Sequence, residues 1–396
     1  MKKLKLLVLI LCILTCAPAH GQEYLVSVLK ERSMNFDAQL DSILTDFGAF
    51  VDTEQYRSII NTARKIGRPT HYVAVEYNTV DPKGNPIVAS GIIAYPEKGK
   101  FRGTVEVSPY TKEKYLCGTA RMFAAECMPT NFGYVTLLPD TIGYGSTADL
   151  PIAYLMYENV ARVSADLRMA AREFFAAQGE GRTLPDKTIF FGYSLGAPGA
   201  LETACYYTAH PEYGVKIKRI CIGSGAYHPE LALQNTVYKG EITYLIYPGI
   251  ALSLNTWLDL GLDYNKLFWG DVIDDFDKIC DGMSNMREMA ERYGFRVQNY
   301  LYPDFFLPEK NGDIDRLVEG LKSLHVPSEG YVLPRNVKIN MHHCVEDLFV
   351  PVECSDLLYE ELKKNYRHVN YIRIPKGTHY DGAAITLADL MTQLIW

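Results

Sequence analysis

Gly192-Tyr193-Ser194-Leu195-Gly196 sets a serine between two glycines at G-x-S-x-G spacing. The strand-forming run Thr188-Ile189-Phe190-Phe191 precedes it, and the small residues Ala197, Gly199 and Ala200 follow. By composition alone the five-residue pattern arises often by chance; the flanks give it meaning. A serine on a sharp strand-to-helix turn is presented in a strained conformation, and only small neighbours fit around it. Pro198 falls in the first helical turn, where a missing N–H does little harm. The helix N-terminus brings partial positive charge to the place where an oxyanion would develop.

A serine hydroxyl is a poor nucleophile until a base takes its proton, and a third group must orient that base. When the serine sits on such a turn, the acid and then the histidine follow later in the chain, each after a strand. Of the nine histidines, His379 fits best, in Pro375-Lys376-Gly377-Thr378-His379 after a strand ending at Ile374. Asp347 is the candidate acid, just after the strand Val337 to Met341, with Glu346 and Asp356 as alternatives. His342 and His343 read as loop-structuring residues rather than metal ligands. The oxyanion donors would be the backbone N–H of Leu195 and one from the loop Ser108-Pro109-Tyr110-Thr111. Pro109 has no N–H, which leaves Tyr110 or Thr111, or the Tyr110 hydroxyl. This set performs acyl transfer at a carbonyl and calls for no cofactor and no metal.

These residues need a scaffold of strands and helices. Residues 24 to about 65 read as a helical, polar lead-in. Tyr72 to Tyr77 and Ile87 to Tyr95 flank the turn residues Asp81-Pro82-Lys83-Gly84-Asn85-Pro86, which predicts an antiparallel hairpin. Buried strands follow at Gly103 to Val107, Tyr134 to Leu138, Thr188 to Phe191 and Val215 to Ile222. Val160, Val163, Leu167, Ala170 and Phe174 recur at helical spacing, and a second helix runs from about Gly196 to Tyr207. From 228 to 330 the pattern is helical, aromatic and without a convincing strand. Alternation then resumes with the strands Val337 to Met341 and Val369 to Ile374, a helix over Cys354 to Lys363, and a last helix from about Ala384. The expectation is an α/β protein with a mostly parallel sheet covered on both faces, begun by an antiparallel hairpin. Its core would comprise 22–227 and 331–396, interrupted by a helical cap over 228–330.

Composition sets the remaining bounds. With 48% hydrophobic and 22% charged residues the chain can bury a sizeable core. The formal net charge of −7, with no Lys/Arg run beyond the N-terminus, argues against nucleic acid as a partner. Residues 1–21 read as an export signal: a basic start, Met1 to Lys5, then the apolar Leu6 to Leu14, too short to span a bilayer. Ala19-His20-Gly21 offers a cleavage site, and Cys16 offers the rival of a lipid anchor. No later segment approaches a membrane-spanning length, so the expectation is a periplasmic or secreted protein. Seven cysteines follow residue 21, an odd number. Cys117 with Cys127, and Cys344 with Cys354, are near enough in sequence to pair; buried free thiols are the alternative.

Together the motifs resemble the α/β-hydrolase superfamily over residues 70 to 396, and within it the secretory lipase group of fungal lipase A enzymes and related bacterial esterases. The resemblance rests on Ala89-Ser90-Gly91-Ile92, Pro139-Asp140-Thr141-Ile142-Gly143-Tyr144-Gly145, the Ser194 pentapeptide, His343 through Pro351, and Gly377-Thr378-His379. It implies ester hydrolysis by Ser194, Asp347 and His379 on a small-molecule or lipid ester, under a cap that shapes specificity. Two departures stand out: Ser108-Pro109-Tyr110 replaces a frequent His-Gly pair, and Cys344 replaces the usual glycine after His343. A prolyl- or dipeptidyl-type serine peptidase would instead need an amine anchor, for which Asp271, Asp274, Asp275 and Asp277 are candidates. A non-catalytic binding protein on the same fold would usually have lost a triad member, and here candidates for all three occur in order.

Overall fold

The computed structural model describes residues 23–47, 54, 57–242, 244–330 and 332–395. The segment read as an export signal, including Cys16, lies outside the described residues.

The α/β alternation folds into one nine-stranded sheet. Its strands are β1 (Leu25–Met34), β2 (Thr70–Val80), β3 (Pro86–Pro96), β4 (Gly103–Ser108), β5 (Tyr134–Pro139), β6 (Lys187–Tyr193), β7 (Lys216–Gly223), β8 (Lys338–Cys344) and β9 (His368–Ile374). In space they run β1-β2-β3-β5-β4-β6-β7-β8-β9. Pairing is antiparallel from β1 to β5 and parallel from β5 to β9. The anticipated hairpin is β2–β3, in register from Thr70↔Pro96 to Val80↔Pro86. Asp81 closes its turn by accepting from the backbone N–H groups of Lys83 and Asn85.

Period-two patterning divides the core between the sheet's two faces. Val73, Val75, Ile93, Leu137, Phe190 and Ile222 join one buried cluster with the helix Tyr157–Gln178. Their strand neighbours Ala74, Ile92, Ala94, Leu138, Phe191 and Cys221 join the other, with Leu390, Met391 and Leu394 of the helix His379–Ile395. All five residues read at helical spacing, Val160 to Phe174, are buried.

The lead-in differs from its reading. Helices occupy Phe36–Phe47 and Arg57–Ile66, but Leu25–Met34 is a strand on the edge of the sheet. Only Leu25 and Met34 in it are buried, so it carries no alternation for a sequence reading to detect. Its conformation comes from the open edge of β2, which supplies ladder partners from Tyr77 to Thr70. Charges at Lys30, Glu31 and Arg32 suit a sheet edge. The last helix also begins earlier than Ala384, at His379 itself.

Between β7 and β8 the described residues form helices, among them Pro229–Lys239, Tyr247–Leu258, Met286–Tyr293 and Gly312–Lys322. Two isolated bridges, Glu241↔Arg296 and Phe268↔Leu301, are their only β pairings. Leu245, Leu254, Trp257, Leu267 and Phe268 are buried, forming the internal core that such an insertion needs, while Trp269 is exposed.

All seven described cysteines are free. Cys117 belongs to one buried cluster and Cys127 to the other, and the two are not bonded. Cys354 points its thiol at the carbonyl of His228 at 3.7 Å, and it and Cys344 are both free. Among the described residues no helix is long and apolar enough to cross a membrane.

Candidate active site

Ser194 stands between β6 and the helix Gly196–Ala209 with φ of +56°, the left-handed region that non-glycine residues avoid. Such a conformation costs on the order of 1–3 kcal/mol and persists only where surrounding structure fixes it. Several contacts fix it here. The Ser194 N–H donates to the carbonyl of Gly223 on β7 at 2.9 Å, and its own carbonyl accepts from Ala197 at 3.1 Å. A Cβ at Gly192 would collide with the backbone of Gly196, and one at Gly196 with the carbonyl of Ser108. The two glycines of the motif are therefore set by backbone approach.

His379 lies 185 residues on, yet its Nε2 is 2.9 Å from the Ser194 hydroxyl. Its Nδ1 is 2.6 Å from Oδ2 of Asp347. With Nδ1–H donating to that carboxylate, Nε2 is left to accept the serine proton. Asp347 is buried, and its other oxygen accepts from the N–H groups of Phe349 and Val350 at 2.8 and 3.0 Å. Burial by itself would raise its pKa. The His379 charge and hydrogen bonds from His343 and His379 outweigh that and hold the carboxyl well below the usual range. His343 is pinned between Ser355 Oγ (2.7 Å) and the Val350 carbonyl (3.0 Å), so it shapes the loop that carries Asp347. His342 is buried beside Asp389, where desolvation lowers its pKa.

Neither alternative acid reaches His379. Glu346 is exposed. Asp356 accepts from the Tyr371 hydroxyl at 2.9 Å and pairs with Arg373. Of the aspartates considered as an amine anchor, Asp275 is engaged by Tyr293 and Arg292.

Three aromatic side chains complete the surroundings. The ring of Tyr193 lies 5.0 Å from the His379 ring, and its hydroxyl donates to the His379 carbonyl at 2.5 Å. Phe349 covers another side of the imidazole at 4.9 Å. Tyr244, from the segment between β7 and β8, packs edge-on against Phe349 at 4.5 Å and hydrogen-bonds Tyr380. Tyr193 and Phe349 lie inside the two catalytic-type motifs, but nothing in their spacing says which way their rings turn.

Leu195 opens the helix after Ser194, where N–H groups lack intrahelical acceptors. Together with Ser108, Pro109 and Tyr110 it lines a narrow cleft whose walls continue to Leu138, Ile152 and Leu155. Lys112 sits 4.1 Å over the Tyr110 ring, and Thr111 is half-buried between them in sequence. Asp140 turns inward to accept from Ser90 and Thr119, joining β3 to β5 rather than reaching Ser194.

A mostly parallel sheet with Ser194 after β6, Asp347 after β8 and His379 after β9 is the α/β-hydrolase fold. No protein-family model matches the chain, and no curated protein sequence matches it. Solved structures do resemble it. The rice cell wall degrading esterase LipA from Xanthomonas oryzae superposes with a TM-score of 0.72 at 15% identity, covering 95% of this chain and 97% of that one. Candida antarctica lipase A in its closed state gives a TM-score of 0.56 at 11% identity, covering 95% of this chain and 86% of that one. A second structure of that lipase gives 0.58 at 12% identity, covering 93% and 90%. At such identities the likeness is one of fold.

Proposed function

We propose that the protein is a serine hydrolase that cleaves carboxylic esters through an acyl-enzyme, with Ser194 as nucleophile, His379 as base and Asp347 as the group that orients and charges against it. The observation that carries the reading is the unbroken hydrogen-bond chain Ser194–His379–Asp347, at 2.9 and 2.6 Å, assembled from three separate loops around a strained serine.

In this mechanism His379 Nε2 takes the hydroxyl proton as Ser194 Oγ attacks the ester carbonyl. Buried Asp347, held ionised by its surroundings, stabilises the imidazolium. The Leu195 N–H and a donor from Tyr110 or Thr111 hold the tetrahedral oxyanion. His379 then protonates the departing alcohol, activates a water, and the same steps in reverse order release the acid and free Ser194. No cofactor or metal takes part in these steps. Leu195, the neighbour of Ser194, lines a small cleft whose walls are mainly apolar, which would suit part of an ester's carbon skeleton. The segment 228–330 acts as a cap, a role supported by the contact of Tyr244 with Phe349 beside His379.

The test is Ser194→Ala with a fluorophosphonate probe and p-nitrophenyl esters. The variant should lose labelling and on the order of 10⁶-fold in kcat while keeping its melting temperature. Retained ester turnover would remove Ser194 from the mechanism. Parallel assays with aminoacyl anilides distinguish a peptidase, which would prefer the amide. We further propose export directed by residues 1–21, supported by their basic and apolar pattern; N-terminal sequencing of the protein from its native cell should begin at Gln22, and a start at Met1 would refute it.

A further inference from the structure

Both ends of the segment between β7 and β8 meet at a cluster of three side chains that the ester chemistry does not use. His228 is the residue before the helix Pro229–Lys239, and Glu230 lies in that helix's first turn. His325 stands almost a hundred residues on, yet the chain is tied back beside them: the Val326 N–H donates to the Tyr227 carbonyl at 3.1 Å. His325 Nε2 is 2.7 Å from a Glu230 carboxylate oxygen. The His228 and His325 rings meet edge to face, 4.6 Å between centroids. One donor atom from each of the three side chains lies within 4.8 Å of the other two.

We propose that His228, Glu230 and His325 bind a divalent transition-metal ion, Zn²⁺ by the character of the donors, which clips together the beginning and end of this segment. Two imidazoles and a carboxylate form a borderline N/O donor set with one net negative charge, the combination that zinc takes from proteins. His228 is only 9% exposed, and its Nε2 has no hydrogen-bond partner. A buried polar atom left unpaired is costly, and a bound ion or an ordered water relieves it. Glu361 adds a second negative charge nearby. His325 and Glu230 keep partial access to solvent, which provides an entry path and a water for the fourth position. With metal–donor distances near 2.0–2.2 Å, donors on one tetrahedral ion stand roughly 3.4 Å apart, so a pair 4.8 Å apart closes by about 1.4 Å while Glu230 and His325, now 2.7 Å apart, open slightly. This ion would be structural and independent of the proposed ester chemistry.

The test uses tag-free protein lacking residues 1–21, stripped with chelator and titrated with Zn²⁺ by calorimetry, with bound metal counted by mass spectrometry. The wild type should bind one Zn²⁺ per chain and melt a few degrees higher with excess Zn²⁺. His325→Ala and Glu230→Gln, one half-exposed and one isosteric, should keep the wild-type circular dichroism spectrum. Both should bind at least about 100-fold more weakly and lose the melting shift. Co²⁺ added to the stripped wild type should give visible d–d bands that Zn²⁺ removes. Absence of stoichiometric Zn²⁺ binding by the wild type would overturn the proposal. So would equal binding by both variants, which would put the ion at other histidines.

Discussion

Ser194, His379 and Asp347 act on one another only through atoms a few ångströms apart, so side chains that hold the imidazole still matter as much as those that touch it. Phe349 and Tyr193 bracket the His379 ring, and Tyr193 also fixes the His379 backbone through its hydroxyl. Phe349→Ala should therefore let the ring swing without removing any reacting group. The expected result is a fall in kcat of about 10–100-fold, the cost of a displacement near 1 Å. KM for a short ester should change little, and unchanged kcat would show that Phe349 is a bystander. At this scale the sequence was legible wherever a residue's role depended on its local context. Ser194 sits in a pentapeptide, and Asp347 and His379 each follow a strand. The brackets around His379 were not legible, because ring direction depends on chain that arrives from elsewhere, such as Tyr244.

At the scale of elements, the position of Ser194 depends on how β4, β6 and two helices lock together beneath it. Arg168 of the helix Tyr157–Gln178 is fully buried and pairs with Glu106 of β4 at 2.5 Å. It also bonds Thr188 of β6 and the Pro185 carbonyl. Tyr207, from the helix that follows Ser194, donates to the other Glu106 oxygen at 2.9 Å. Burial raises the Glu106 pKa, and Arg168 and Tyr207 oppose that rise. Removing one partner strands a buried charge, so Glu106→Ala should cost about 3–5 kcal/mol in denaturant unfolding. The paired change Glu106→Leu with Arg168→Met should cost much less, since no charge is left uncompensated. Equal losses for the single and paired variants would refute this account. Neither charge was picked out from the sequence, in which Glu106 sits in an apolar strand and Arg168 among other charges of an amphipathic helix; only the crossing of helix and strand reveals them as a pair.

For the molecule as a whole, the ionisation of Asp347 links the site to acid stability. Its carboxyl titrates well below the value near 4 of an unfolded aspartate. It therefore contributes stability that is fully present above about pH 4 and is lost as the pH falls toward its native value. Asp347→Asn removes this contribution. The difference in unfolding free energy between wild type and variant should be largest near neutral pH and shrink progressively as the pH falls below about 4. A difference independent of pH would show that the aspartate acts by shape alone. The same variant should lose on the order of 10⁴-fold in kcat, because the imidazole is no longer held in the productive tautomer.

What the sequence by itself determined are the features encoded within a few residues. The alternation of buried strands and amphipathic helices specified a mostly parallel sheet with a leading hairpin. Gly192 and Gly196 specified a turn that only glycine permits. Tertiary structure decided everything that depends on pairing across distance. Leu25–Met34 became a strand because β2 had an open edge, against a local pattern without alternation. Cys117 and Cys127, ten residues apart, joined different buried clusters and stayed thiols. His228 and His325 met because the chain between them folds back on its own beginning. Backbone propensity and side-chain period are local properties, legible in a window of residues. Partnership is set by the free energy of burying surfaces against one another, and a single chain read in order does not contain that geometry.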